Sequence, residues 1–311
     1  MNNQIKKINL NHSLIFFLFC NIFSLITFIV NDFSISPLIC LLLILSIGVS
    51  HGSLDNIKGK KLFQIFGIDN LVFFYLLYIL IATTTIVLWI IYPVFSLVIF
   101  LTVASYHFGK EDTQFLIIEK SYFNQLLFFT KGSLIILAPM YFHFDETIYI
   151  FKLLLVNNEN FYKFLNFIEA NRILFFAIIL ATFSNIILFI KNFEFKKFTI
   201  FLDYFSILII NYYFSPLTAF TLYFCFLHSI RHSITLMLEL NKNDINSGLR
   251  LFLKKALPLT VLTATFCLAG LYFLNITYSI DSSILKIIFI GLASLTFPHI
   301  LLEYLLEKNE K

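Results

Sequence analysis

The chain has 311 residues, of which 59% are hydrophobic and only 13% are charged. A soluble domain of this length could not bury so much apolar surface, so the composition excludes the soluble globular class and indicates an integral membrane protein. The formal net charge of +4 is small, and in a membrane protein it reports on topology, so we expect no nucleic-acid partner. The four cysteines lie within apolar runs without a CxxC pair, which favours core residues over a disulfide framework.

Apolar runs recur along the whole chain, which predicts an all-α, polytopic transmembrane bundle of about 8–10 spans forming one domain over residues 1–311. The predicted spans are 13–30, 36–50, 70–92, 94–107, 122–142, 172–190, 198–214, 216–240, 257–274 and 283–305. Residues 157–171 place apolar side chains at helical spacing beside charged ones, which predicts a helix lying on the membrane interface.

The distribution of basic residues orients this bundle. With ten spans and a cytoplasmic amino terminus, sixteen of the 22 lysines and arginines fall in cytoplasmic segments and four on the other side. Because short cytoplasmic loops carry an excess of Lys and Arg, this asymmetry predicts that both termini are cytoplasmic. We expect the protein in a prokaryotic inner membrane, since a helical bundle does not form an outer-membrane barrel.

Five of the seven histidines fall in one depth zone of this topology: His51, His107, His228, His232 and His299. Ionisable groups inside a membrane are costly and indicate function. The spacing of four between His228 and His232 places both imidazoles on one face of a helix, as metal ligands require. His12 and His143 fall at or outside span ends, where a solvated imidazole is expected.

Acidic and small residues accompany these histidines. Asp55 and Asp112 each follow a histidine closely, so each is expected either to orient a metal-bound imidazole or to hold neighbouring helix ends. Gly52 and Gly109 are expected to allow close backbone approach. Four imidazoles with no carboxylate or thiolate ligand suit a mononuclear iron or another borderline metal, and suit magnesium or calcium poorly. We expect this metal site to lie buried between helices.

Three further residues beside the histidines are candidates for the pocket. Tyr106 and Tyr223 adjoin His107 and His228 and either line the pocket or simply pack. Arg231 is expected to pair with Asp55 or Asp112, to shape the site, or to join helices.

The sequences HGSLD at His51, HFGKED at His107 and HSIRH at His228 resemble, in matching order, the motif set of the membrane β-carotene 15,15′-dioxygenases. This family is also called the Brp/Blh or bacteriorhodopsin-related-protein-like family. Pro298-His299 resembles a further family feature. The resemblance extends from about residue 35 to residue 305, essentially the whole chain.

The resemblance implies a non-haem iron(II) enzyme that splits the central double bond of β-carotene with O₂ to give two molecules of all-trans-retinal. It implies iron ligands at His51, His107, His228 and His232, with no catalytic group beyond them, and leaves His299 as a pocket residue or one that orients a ligand. The substrate would arrive from membrane lipid, and a retinal-using rhodopsin is the expected recipient of the product.

Two other classes stay open on the residues alone. A membrane di-iron hydroxylase or desaturase acting on a lipid or carotenoid is also rich in histidine, but seven histidines, two of them poorly placed, are few for two metals. A transporter or haem-binding carrier would need two axial histidines on different helices. That class would leave the motifs at His51 and His107 without a purpose.

Overall fold

The computed structural model describes residues 3–29, 35–113, 115–116, 121–191, 195–242 and 244–309. The side chains of residues 3, 4, 28, 51, 195 and 196 lie outside this description. Every regular element within the described ranges is helical, which confirms the predicted all-α class.

The α-helices follow one another closely along the chain. They are α1 Asn3–Ile29, α2 Pro37–Leu43, α3 Asp55–Ile65, α4 Leu71–Ile91, α5 Pro93–Glu111, α6 Tyr122–Phe142, α7 Phe144–Leu153, α8 Glu159–Ala170, α9 Ile173–Ile190, α10 Thr199–Tyr213, α11 Pro216–Leu222, α12 Ile230–Leu240, α13 Ile245–Leu274 and α14 Ile280–Asn309. Two π-helical segments, Ile44–Gly48 and Tyr223–Ser229, and two 3₁₀ segments, Val49–Leu54 and Phe195–Phe198, complete the described elements.

Seven of the described helices are long and apolar enough to cross a membrane, so the chain is a multi-pass membrane protein. They are α1, α4, α5, α6, α9, α13 and α14. The helical run from α2 to α3 bends by 41° and counts as an eighth span if taken as one. Two further predicted spans correspond to α10, which has only 15 residues, and to the run 216–240, which carries His228, Arg231 and His232.

Three short helices lie between the spans. The predicted helix over 157–171 is present as α8, and its place on the membrane interface stays a prediction. Neither α3 nor α7 was predicted. The sequence of α3 contains three lysines and a glycine, a composition typical of a cytoplasmic loop, yet it forms a helix that packs against α4 and α14.

A pair of glycines brings α5 and α6 into backbone contact. A Cβ atom added at Gly109 would lie 1.8 Å from the carbonyl oxygen of Phe128, and one at Gly132 would lie 1.8 Å from that of Ser105. Only glycine permits this spacing, so the predicted close approach at Gly109 is confirmed. At Gly52 the nearest atoms would be 3.8 Å and 4.0 Å away, which is ordinary contact, so the same prediction was wrong there.

The two π-helical segments pack against each other next to the histidines. The Ser229 hydroxyl donates to the Gly48 carbonyl oxygen at 3.2 Å, and a Cβ at Gly48 would meet the Phe224 ring at 2.6 Å. A hydrogen bond of 2.8 Å joins His12 Nε2 to the carbonyl oxygen of Phe226. The expectation of a solvated His12 was therefore wrong, because α1 docks against this π-helical segment.

A buried ion pair fixes the helix that carries two of the histidines. Arg231 donates from Nη1 to Asp203 Oδ2 at 2.7 Å and from Nη2 to Asp203 Oδ1 at 3.0 Å. Its Nη2 also donates to the Ser13 hydroxyl at 2.6 Å, and its Nη1 to the Asp112 carbonyl oxygen at 3.3 Å. Of the predicted alternatives for Arg231, the role of joining helices is confirmed, because these contacts connect α1, α10 and α12. The carboxylate that it pairs with belongs to Asp203 on α10, and not to Asp55 or Asp112.

Candidate metal centre

Four histidines from four elements meet inside the bundle. His107 on α5 lies with its ring centroid 5.4 Å from that of His228 and 5.5 Å from that of His299, and the His232 and His299 centroids are 5.9 Å apart. All four side chains are buried. The structure therefore brings together four of the five histidines predicted to share one zone.

The fifth, His51, lies in the 3₁₀ segment Val49–Leu54, and its side chain is outside the described residues. The neighbouring Gly52 lies close to the ring of His299, since a Cβ there would be 4.0 Å from Nδ1 of that ring. The HGSLD segment thus runs along the cluster.

Three of the imidazoles are held by carboxylates through Nδ1. The pairs are His228 with Asp112 at 3.2 Å, His232 with Glu111 at 3.0 Å, and His299 with both oxygens of Asp55 at 2.9 Å. A carboxylate on one ring nitrogen fixes the tautomer and turns the other nitrogen towards a ligand. The Nε2 atoms of the three rings are buried, so the arrangement presents three oriented nitrogen donors within the protein.

Asp112 anchors more than one group. The Tyr223 hydroxyl donates to Asp112 Oδ2 at 2.6 Å, and the Tyr223 ring stacks on His228 at 6.2 Å. Burial raises the pKa of the Asp112 carboxyl, but its hydrogen bond to His228 and the positive charges around it together outweigh burial and hold that pKa below its usual range. Tyr106, in contrast, is half-buried, and its role as a pocket residue stays a prediction.

Asp55 contacts side chains from two other helices. It was expected either to orient a metal-bound imidazole or to hold neighbouring helix ends, and it accepts from His299 on α14 and from the hydroxyl of Tyr78 on α4, each at 2.9 Å. Asp55 opens α3, which packs against both helices. A spacing along one segment could not reveal this contact, because it depends on how three helices pack.

Glu303 is a functional candidate that the sequence analysis missed. It follows His299 by one turn of α14, and its side chain is only 14% exposed. Its Oε1 lies 3.7 Å from His299 Nε2 and 3.9 Å from His232 Nε2, while its Oε2 lies 4.0 Å from His107 Nδ1. Lys58 donates to Oε1 at 2.8 Å. The spacing of four from His299, the same as between His228 and His232, could have drawn attention to Glu303.

Two groups of side chains within the cluster could each hold a metal ion. One group is His232, His299 and Glu303, and the other is His107, Glu111 and Glu303; the ligand atoms of each lie within 4.8 Å of one another. Imidazole nitrogen mixed with carboxylate oxygen suits iron(II) and neighbouring first-row metals, and suits calcium and magnesium poorly. The donor set therefore fits a transition-metal ion.

An apolar pocket adjoins the cluster at Phe108. The Phe108 ring contacts that of His228 edge to face at 4.8 Å and also lines this pocket between α5, α6, α7 and α11. Its other lining residues include Leu97, Phe100, Ala104, Ile135, Phe151 and Phe220. The pocket offers almost no polar atoms, so it suits a hydrocarbon ligand.

His143 lies apart from the cluster. It immediately precedes α7 and has its Nδ1 3.6 Å from Glu146 Oε1. Its predicted position at a span end is confirmed, which makes it a suitable control histidine.

Comparisons with known proteins agree with the resemblance in the motifs. A family model described as "Beta-carotene 15,15'-dioxygenase" matches residues 42–307. A protein of that name from an uncultured marine bacterium, 66A03, is 28% identical over 269 residues, which are 84% of this chain and 90% of that protein. No solved structure matches the chain.

Proposed function

This chain belongs to the β-carotene 15,15′-dioxygenase family, and from that premise we propose that it cleaves the central double bond of β-carotene with O₂ to give two molecules of retinal. Each aldehyde takes one oxygen atom of O₂, and the alkene supplies the electrons, so the reaction needs no further reductant. The observation that carries the proposal is the cluster of carboxylate-anchored histidines beside an apolar pocket.

We propose iron(II) as the cofactor, held by His107, His228 and His232 together with His51. Iron would supply the activation of O₂, which no side chain provides. The mixed imidazole and carboxylate surroundings support a borderline metal.

The carboxylates at the site orient the histidine rings. Asp112 and Glu111 accept from Nδ1 of His228 and His232, so the proton stays on Nδ1 and the lone pair of Nε2 faces the centre. Tyr223 donates to the remaining oxygen of Asp112, which keeps this carboxylate turned towards His228. Rings fixed in this way need little reorganisation when a metal binds.

The apolar pocket supplies the substrate site. One half of β-carotene would lie along α5 and α6, with the central double bond near Phe108, because this ring separates the pocket from His228. Apolar walls exclude water from the reacting centre. The substrate would enter from surrounding lipid, since long apolar helices form the outside of the protein.

The cellular setting follows from the same premise. We propose one catalytic domain over residues 1–311 in an inner membrane, with both termini in the cytoplasm, as the lysine and arginine distribution favours. Retinal is apolar and would leave into the bilayer, where a rhodopsin is the natural acceptor.

The test is to express the chain in β-carotene-producing cells and to measure retinal and β-carotene by chromatography. We expect retinal from the wild type and from His143→Ala, whose histidine lies apart from the cluster, but none above background from His232→Ala. Intact β-carotene beside normally expressed wild-type protein would contradict central cleavage. Equal retinal from both histidine variants would contradict the role of the cluster.

A further inference from the structure

Arg231 uses all four N–H groups of its two Nη atoms in contacts with other helices. Its Nη1 donates to Asp203 Oδ2 at 2.7 Å and to the Asp112 carbonyl oxygen at 3.3 Å. Its Nη2 donates to Asp203 Oδ1 at 3.0 Å and to the Ser13 hydroxyl at 2.6 Å. A planar guanidinium group with four bound donors has a single orientation. Arg231 therefore fixes the positions of these acceptors relative to α12.

One of the acceptors lies at the end of α5. Asp112 directly follows the last residue of this helix, in the region where backbone carbonyl groups have no donor within the helix. Arg231 Nη1 supplies a donor there. The guanidinium carbon also lies 5.4 Å from the centroid of the buried Phe115 ring, which is a cation–π contact. Arg231 therefore holds the chain at the end of α5 through two separate contacts.

The end of α5 carries the groups that orient two histidines of the centre. The Asp112 carboxylate accepts from Nδ1 of His228, and the neighbouring Glu111 accepts from Nδ1 of His232. Arg231 lies between these two histidines in the sequence. A displacement of the end of α5 along α12 would move both carboxylates away from their rings at once.

From these contacts we propose that Arg231 is a positioning residue of the metal centre. It holds the end of α5 against α12, so that Asp112 and Glu111 keep the rings of His228 and His232 turned towards the iron. Arg231 acts through these two acids, because its own four donors are bound to other groups. The inference rests on the proposed iron-dependent cleavage of β-carotene and adds to it a residue outside the ligand set.

Asp203 and Ser13 keep the guanidinium group in place from the side opposite to α5. The two oxygens of Asp203 accept from both Nη atoms, and the Ser13 hydroxyl accepts from Nη2 while it donates to Asp203 Oδ1 at 2.7 Å. Such a two-pronged contact fixes the plane of the guanidinium group. A lysine at position 231 would keep the charge, but its three donors lack the fixed fork and cannot replace four contacts.

A purely structural role for Arg231 makes a different prediction. If its contacts only joined α1, α10 and α12, a substitution would lower the thermal stability of the protein and leave the iron affinity of the folded protein unchanged. A positioning role lowers that affinity as well. Losing a group that orients a metal-bound imidazole typically costs roughly 10–100-fold in metal affinity.

The first experiment titrates metal-depleted, full-length protein in detergent with iron(II). Arg231→Lys should bind iron roughly tenfold or more weakly than the wild type. The control is Tyr204→Phe, next to Asp203 on α10, which removes a hydrogen bond of 2.6 Å to the Thr182 hydroxyl on α9. This control should unfold at a lower temperature but bind iron like the wild type. Equal iron affinities of folded Arg231→Lys and the wild type would overturn the proposal.

A spectroscopic measurement reports on the ligands themselves. Cobalt(II) bound in place of iron absorbs visible light at wavelengths that depend on the coordination geometry. These absorption bands should shift in Arg231→Lys and stay unchanged in Tyr204→Phe. Identical spectra for Arg231→Lys and the wild type would contradict an effect of Arg231 on the histidine rings.

A second variant leaves the buried ion pair intact. Phe115→Leu removes the ring that contacts the guanidinium group, so iron affinity should fall by about threefold. An unchanged affinity would show that the end of α5 does not depend on this contact, against the proposal. Retinal formation by the wild type is assayed on the same preparation. An active wild type beside variants with normal iron affinity removes only the role of Arg231, whereas a wild type without retinal contradicts the proposed cleavage.

Discussion

Helices α13 and α14 resemble each other in sequence and differ in what surrounds them. Each has 30 residues, and the most apolar stretch of each helix has a mean hydropathy of 1.8 in α13 and 1.9 in α14. No residue of this stretch is buried in α13, whereas half of the residues of the corresponding stretch are buried in α14. Hydropathy places both helices in a membrane, but polar side chains decide which one lies inside the bundle, because Lys286, His299 and Glu303 need partners that lipid cannot provide.

The largest expected effect is the loss of the imidazole on α14. His299→Ala should reduce the rate of retinal formation by roughly a hundredfold, since it removes one imidazole of the cluster and leaves Asp55 without its histidine. The initial rate in membranes, at equal protein, is the measurement, with His143→Ala as the control. A rate equal to that of the control would show that α14 contributes only packing.

A smaller effect is expected when the charge that orients His299 is removed. Asp55→Asn should lower metal affinity by roughly 10–100-fold, the usual cost of losing a carboxylate that orients an imidazole at a metal site. The measurement is an iron titration of the metal-depleted protein. The matched control is Asp244→Asn at the start of α13, where Asp244 caps the helix and asparagine caps equally well. Equal iron affinities for the two variants would contradict the role of Asp55.

A smaller loss of activity is expected when the hydrogen bond from Tyr78 to Asp55 is removed. Tyr78→Phe removes a hydroxyl that donates to Asp55 at 2.9 Å. Losing one such hydrogen bond costs about 1 kcal/mol, so we expect the rate of retinal formation to fall by about fivefold. Tyr272→Phe is the control, because Tyr272 lies on α13 and is 71% exposed. The rates of retinal formation of both variants should be compared with that of the wild type, and a slower Tyr272→Phe would break the contrast between the helices.

The smallest effect is expected on the outward face of α13. Phe266 is 69% exposed, so Phe266→Leu should change the rate of retinal formation by no more than about twofold, corresponding to about 0.5 kcal/mol. A large loss would mean that α13 contacts the substrate or a partner through this face.

Much of the centre could be predicted from the sequence because its histidines recur in motifs within apolar runs. The convergence of His107, His228, His232 and His299 follows from a common depth in the bundle. The resemblance to a family added the chemistry. These inferences needed only spacing and hydropathy.

The missed features depend on packing between distant segments. The partner of Asp55 lies 244 residues away on α14, and Arg231 joins Asp203 and Ser13 through contacts that no local pattern encodes. Glu303 was missed because its contacts with His232 and His107 depend on how α14 packs against α12 and α5. Helix α3 escaped because its lysines are typical of a cytoplasmic loop, although one of them, Lys58, reaches into the site.

The π-helical segment Tyr223–Ser229 separates the placement of His228 from the direction of the helix that follows. A π turn holds one residue more than an α turn, so deleting a single residue there and restoring regular α-helix would leave α12 at the same angle about its axis. His232 and Arg231 would then keep their partners, whereas a deletion in a regular α turn would rotate the following helix by about 100°. The extra residue therefore affects the side chains of the π turn itself, among them His228, more than the helix beyond it.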